Sequence, residues 1–235
     1  MSIELRPGIF QFAAEKPGSH VYLIKGTHKN MLIDTGLAAN YPQLEAAMME
    51  IGLKPSDIHF IVLTHEHFDH IGATSFFYEN AVVAAQRLAA NKIELQDEFV
   101  TMVKSRDSSA IAFHADVWLE HDTMIDLGNY RLRALHTPGH TSGCICLYEP
   151  NEGLLFTGDT VFAGGTLSGI FGSGNISDYM NSLERLSTLR VNQLYPGHGW
   201  LSDSPEEDIR RGLEYARALF DDTKMLFETL SRKGG

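Results

Sequence analysis

Cysteine is nearly absent: the 235 residues include only Cys144 and Cys146. They sit two apart in a β-rich run, so both face one side of a strand, and neither has a sequence-distant partner for a disulfide. Two buried thiols are expected. Long apolar runs are also missing. Nothing approaches the ~18 residues that cross a bilayer, and Met1 to Phe10 lacks the basic start and apolar stretch of a secretory signal. A cytoplasmic protein with no membrane partner is the expectation. Positive charge is scarce as well, since 19 Lys and Arg face 30 Asp and Glu, a formal charge of -11. That balance disfavours the clustered cationic surface that tracks phosphates, so no nucleic-acid partner is expected.

No linker rich in Pro, Ser or charge interrupts the chain, and short strands alternate with helices in two comparable halves. One α/β domain over 1–235 is expected. Residues 20–25 and 30–34 read as a hairpin around Gly26-Thr27-His28-Lys29. Leu44, Ala47, Met48 and Ile51 recur at helical spacing over 41–51, and Gly52 is a stop signal. A strand follows at 58–63, then a helix from Phe68 toward Tyr78, then a strand at 81–84. Residues 86–108 read as largely helical, with Leu95, Phe99, Met102 and Val103 on one side. A helical insertion around 86–113 is thus expected over a site. Strands are predicted at 117–119, 130–135, 144–148, 154–156 and 193–195, with Pro150-Asn151-Glu152-Gly153 as a turn. Helices are predicted at 178–190, capped by Ser177, and after Ser204-Pro205.

The chemistry concentrates in Thr64-His65-Glu66-His67-Phe68-Asp69-His70, directly after the apolar Phe60-Ile61-Val62-Leu63. Three histidines and two carboxylates beyond a strand suit a borderline divalent ion such as zinc. Four other polar clusters also end apolar strands: Asp34-Thr35-Gly36, Thr137-Pro138-Gly139-His140, Thr157-Gly158-Asp159-Thr160 and Pro196-Gly197-His198-Gly199. In layered α/β folds, loops leaving one strand edge gather functional groups.

With these residues the chain resembles the metallo-β-lactamase superfamily, and within it the hydrolases similar to glyoxalase II. The family pattern of HxHxDH, a lone histidine, an aspartate and a last histidine is filled in order from His65 to His198. The resemblance implies a four-layered αββα sandwich and two divalent metal ions, with zinc the first choice and iron or manganese also accommodated by such ligands. His65, His67 and His140 would hold the first ion, and Asp69, His70 and His198 the second, with Asp159 bridging. Alternation agrees with that division, because His65 and His67 point one way along an extended stretch. Asp34 corresponds to a position that orients ligands by hydrogen bonds. Glu66 is expected to point away from the ligands, as a supporting group or in a salt bridge. His136 is expected to pack or support, Gly164 to Gly169 to form a flexible rim near Asp159, and His20 to be the first of the unassigned histidines to test.

The implied reaction is cleavage of a thioester or other carboxylic ester of a small-molecule substrate by a metal-bridging hydroxide, with Asp69 helping to orient water. No serine or cysteine nucleophile is required. A lactonase opening an acyl-lactone ring and a mono-iron persulfide dioxygenase share the same histidine cluster and are the alternatives. Glutathione recognition is less expected, because glyoxalase II-like enzymes carry a lysine and a tyrosine where this chain has Ser168 and Ile170, and a longer helical C-terminus. A binding protein on the same scaffold would typically have lost ligands, and none is lost here. Relatives are often dimers, so the resemblance is compatible with a homodimer, although no residue here fixes an interface.

Overall fold

Neighbouring residues of each strand point into different apolar layers, and this fixes the architecture. A computed structural model of the protein describes residues 2–233, with side chains to Thr223. The first sheet runs β1 (Ser2–Arg6), β2 (Ile9–Phe12), β3 (Val21–Lys25), β4 (Asn30–Ile33), β5 (Phe60–Leu63), β6 (Val82–Gln86) and β7 (Val117–Leu119) in spatial order. It is antiparallel up to β4 and parallel from there. The second sheet contains β8 (Thr123–Asp126), β9 (Arg131–His136), β10 (Ile145–Glu149), β11 (Leu154–Gly158) and β12 (Gln193–Pro196), in the order β12-β11-β10-β9-β8. Only the β11–β12 pair in it is parallel.

Leu23, Leu32, Ile61 and Val83 pack outward from the first sheet against α1 (Tyr41–Glu50) and, beyond the four-residue α2 (Phe68–Ile71), against α3 (Arg87–Glu94). Their neighbours Ile24, Met31, Val62 and Ala84 pack inward, against Ala134, Leu147, Phe156 and Tyr195 of the second sheet. On the far face of that sheet, Leu135, Cys146, Leu155 and Leu194 meet α6 (Ile176–Leu186) and α7 (Pro205–Lys233) through Leu183, Leu186, Ile209 and Leu213. Three apolar layers separate four layers of structure, the expected αββα sandwich. Side chains as deeply buried as Met48, Ile61 and Leu183 each contribute about 1.5–3 kcal/mol relative to exposure. No helix among the described residues is long and apolar enough to cross a membrane.

Local differences from the expected elements have physical causes. The segment from Phe68 leaves α-geometry at Ala73, whose φ is -89° and ψ 4° and whose amide donates to the Gly36 carbonyl at 3.2 Å instead of back along the helix, and it resumes as a 3-10 turn at Thr74–Phe77. The insertion is three short helices: α3, then α4 (Glu98–Thr101) and α5 (Val103–Arg106), parted by Met102 in the left-handed region. Leu95 and Phe99, predicted on one face with Val103, are instead 77% and 81% exposed. Helix α6 starts earlier than predicted because Asn175, not Ser177, caps it, with its side-chain oxygen accepting from the Asp178 amide at 2.8 Å. β1, β2 and β8 were not foreseen; β1 and β8 are edge strands of mostly exposed or half-buried residues, with no apolar run to announce them. Both cysteines are free and buried, and burial raises both thiol pKa values.

The edges that carry the polar clusters are pinned together. The Ile145 amide at the start of β10 donates to the Thr64 carbonyl at 2.8 Å, the His20 amide to Gly197 at 2.7 Å, and the Tyr22 hydroxyl to the Pro196 carbonyl at 2.7 Å. The C-terminal ends of β4, β5, β9, β11 and β12 therefore open onto one place.

Candidate metal centre

All seven residues singled out in the sequence arrive at that place. His65 Nε2 and His140 Nε2 lie 3.0 and 2.9 Å from His67 Nδ1. Nitrogens of a tetrahedral zinc shell stand about 3.3 Å apart, so the spacing suits ligation of one ion. His140 is oriented by donating from Nδ1 to the Gly169 carbonyl, which leaves Nε2 free to coordinate. A second group faces it. His198 Nε2 is 3.1 Å from Asp69 Oδ2, and His70 Nε2 is 3.8 Å from the same oxygen.

Asp159 stands between the two groups. Its Oδ2 is 3.7 Å from His140 Nε2, while its Oδ1 is 3.3 Å from His70 Nε2 and 3.6 Å from His198 Nε2. The compact sets are His65, His67, His140; His65, His70, Asp159; and Asp69, His70, His198, each with ligand atoms within 4.8 Å of one another. His70 Nε2 and Asp159 Oδ1 are buried without a hydrogen-bond partner. Buried polar atoms are seldom left unpaired, and a cation between them would satisfy both. The donor set therefore fits divalent metal binding.

Burial and neighbours set the charges. Desolvation lowers the pKa values of His65, His67 and His140, His67 to about 3, and neighbouring histidines, His70 in all three cases, lower them further, so their lone pairs are available at neutral pH. Desolvation would lower His70 too, but Asp34, Asp159 and Asp69 outweigh it and raise its pKa well above the usual value. Burial pushes the Asp69 and Asp159 carboxyls up, and the neighbouring histidines, His70 foremost, more than reverse it.

The supporting groups are mostly backbone-directed. Asp34, with φ of 59°, accepts from the Thr64 amide and hydroxyl at 2.7 Å each, and its Oδ2 is 2.7 Å from His70 Nδ1. It orients His70 as expected for a non-ligand. Glu66 is fully buried and turned away from the cluster, accepting from Thr141 Oγ1 at 3.0 Å. This is the supporting role rather than a salt bridge. Half-buried His136 contacts the Ser142 carbonyl through Nε2, consistent with packing. The 164–169 rim does reach Asp159, since Ser168 Oγ donates to its Oδ2 at 3.3 Å. Gly197 must remain glycine, because a Cβ there would sit 2.6 Å from Asp159 Oδ1.

Three contributors were not assigned from sequence. His20 Nδ1 accepts from the Ala14 amide at 3.1 Å, so its Nε2 carries the proton and donates to Gly199 at 2.7 Å. Tyr179, foreseen only as a packed residue of α6, donates to the carbonyls of Asp159 and Thr160. Phe171 stands edge-on to His67 and His140, with ring centroids 5.3 and 5.5 Å away. A phenolic oxygen on an otherwise apolar helix face was a usable signal for Tyr179; Phe171 offered none.

The sequence profile described as "Metallo-beta-lactamase superfamily" matches residues 15–198. The chain belongs to the metallo-β-lactamase superfamily. Within this superfamily it is 29% identical over 209 residues to human acyl-coenzyme A thioesterase MBLAC2, covering 77% of this chain and 72% of that protein. It is 31% identical over 170 residues to the hydroxyacylglutathione hydrolase of Bartonella tribocorum, covering 71% of this chain and 59% of the relative. The crystal structure of a metallo-β-lactamase family protein from Thermus thermophilus superposes with a TM-score of 0.77 over 92% of this chain and 81% of that one, at 24% identity, a likeness of fold.

Proposed function

We propose that the protein is a metal-dependent hydrolase of thioesters, using two divalent ions held by the seven clustered residues. The observation that carries this reading is the position of Asp159, one oxygen toward each histidine group. Two relatives that match most of this chain are named for thioester hydrolysis, of acyl-coenzyme A and of hydroxyacylglutathione. His65, His67 and His140 would hold the first ion, Asp69, His70 and His198 the second, and Asp159 would be shared. Zinc suits the imidazole-rich set best. Such ions supply Lewis acidity when bound, lowering the pKa of water and polarising a carbonyl.

The chain's own contribution is orientation and charge. Asp69, held ionised by His70 and His198, would accept a hydrogen bond from water and orient its attacking lone pair toward an acyl carbon. Its position is fixed from behind, because Ser19 Oγ donates to its carbonyl at 2.8 Å. Asp34 keeps the His70 proton on Nδ1 and so turns Nε2 inward. His198 is 18% exposed, Asp69 13% and Asp159 9%, so substrate approaches on the side of the second group. Hydrolysis breaks the acyl C–S bond, forms a C–O bond and releases a carboxylic acid and a thiol.

Parallel assays of the zinc-loaded protein with an acyl thioester and an acyl-lactone test the reading. A preference of about a hundredfold or more in kcat/KM for the thioester is expected, equivalent to about 2.7 kcal/mol of transition-state discrimination. Equal or better lactone opening would reverse the assignment. Iron-dependent oxygen uptake on a persulfide would replace hydrolysis altogether.

A further inference from the structure

Residues 161–176 form the rim beside the metal centre and contain no charged residue, in a chain where 21% of residues are charged. Two of the rim's apolar side chains stand in solvent, Ile170 at 43% and Phe171 at 46% exposure. Together they leave apolar surface open to solvent beside the buried His67 and His140.

The placement of Phe171 is nevertheless fixed. The Phe171 amide donates to the His140 carbonyl at 3.0 Å, and the Gly169 carbonyl accepts from the same histidine's Nδ1. Ser173 accepts from the Ser142 amide at 3.1 Å and donates to Glu66 at 3.4 Å. The backbone that carries the ring is thus tied to the His140 segment from both flanks. The insertion joins this surface at Gly172, where a Cβ would lie only 3.1 Å from the Phe99 ring, and Phe99 is itself 81% exposed. Phe162, half-buried, lies 6.2 Å from His198 by ring centroids, so the apolar rim borders both histidine groups.

We propose that Phe171, Ile170 and Phe99 form a platform on which the hydrocarbon acyl group of the substrate lies, which makes the preferred substrates thioesters of medium-chain unfunctionalised acids. The inference rests on the thioester reading and adds the acyl class to it. An acyl chain lying there loses water from its methylenes and from three exposed side chains at once. A short hydroxylated acyl group would leave the platform wet and find no charged partner on residues 161–176.

The test uses the zinc-loaded full chain and acetyl, butanoyl, hexanoyl, octanoyl and 2-hydroxypropanoyl thioesters of one thiol, N-acetylcysteamine. The octanoyl to acetyl ratio of kcat/KM is expected to be about tenfold or more, with 2-hydroxypropanoyl no better than acetyl. Phe171→Ala is expected to reduce that ratio severalfold, Phe171→Leu to restore part of it, and Met124→Ala on the remote edge strand β8 to leave it unchanged. A wild-type ratio near one, or a ratio unmoved by Phe171→Ala, overturns the platform while leaving thioester hydrolysis standing. Absence of hydrolysis of every thioester overturns the underlying reading instead.

Discussion

His20 holds both flanks of His198: its amide donates to the Gly197 carbonyl at 2.7 Å, and its Nε2 donates to the Gly199 carbonyl at 2.7 Å. His198, a proposed ligand on a glycine-flanked loop, is thereby fixed by a residue 179 positions away from Gly199. Groups that orient metal ligands are commonly worth 10–100-fold in affinity. His20→Ala is expected to weaken the second of two zinc-binding steps by about tenfold and to leave the first within about threefold. Titration calorimetry on the chelator-stripped protein separates the steps; equal weakening of both would contradict the geometry.

Asp34 links three donors, the Thr64 amide, the Thr64 hydroxyl and His70 Nδ1. Asp34→Ala removes all three contacts, and at φ of 59° it also strains the backbone. A loss of about 10–100-fold in kcat/KM is expected, with a lowered melting temperature. Asp34→Asn tolerates the backbone better and can still accept from Thr64, so it should recover most of the stability and less of the activity. Full activity in Asp34→Asn would show that the charge opposite His70 is dispensable.

Acid and alkali are expected to destabilise the metal-free protein for different reasons. His65, His67 and His140 are neutral when folded, with pKa values depressed below 6.5 by burial and then by neighbouring histidines, so acidification below 6.5 favours the unfolded chain, which binds more protons. His70 is raised above 6.5 by its three carboxylates despite burial. Its contribution is complete below 6.5 and disappears as pH climbs through the higher folded value. The melting temperature of the stripped protein should therefore peak on the alkaline side of 6.5 and fall on both flanks. Zinc uptake near neutral pH should release a proton from His70, measurable as a buffer-dependent binding enthalpy. A monotonic rise of melting temperature to high pH would contradict the assignment for His70.

Gly197→Ala introduces a Cβ that would sit 2.6 Å from Asp159 Oδ1 and 2.7 Å from His70 Cε1. Zinc stoichiometry is expected to fall by at least one equivalent while far-ultraviolet circular dichroism retains the wild-type shape. Retention of full zinc content would mean that the loop can yield.

The parts of the fold that follow local rules could be read from the chain. The hairpin of β3 and β4, helix α1 ending at Gly52 with φ of 75°, and the run into His65 follow from alternation, helical spacing and a glycine stop. The seven clustered residues were legible because each follows an apolar strand, and strand ends share an edge. One helical face across the insertion was not to be had, because Gln96, with φ of 48°, breaks the helix period between Leu95 and Phe99 and Met102 breaks it again, leaving both side chains exposed. His20 and Phe171 were opaque for another reason. Their roles consist of backbone contacts to Gly199 and His140 that exist only once distant strand ends have met.

Zinc content measured together with thioester hydrolysis bears most directly on the proposed two-ion site. The purified chain, stripped with chelator and reloaded, is expected to bind about two equivalents of zinc and to regain octanoyl-thioester hydrolysis as the second equivalent fills. His65→Ala and Asp159→Ala should each lose about a thousandfold or more of that activity. A folded protein that binds no zinc, or that hydrolyses the thioester equally well after stripping, would contradict the account.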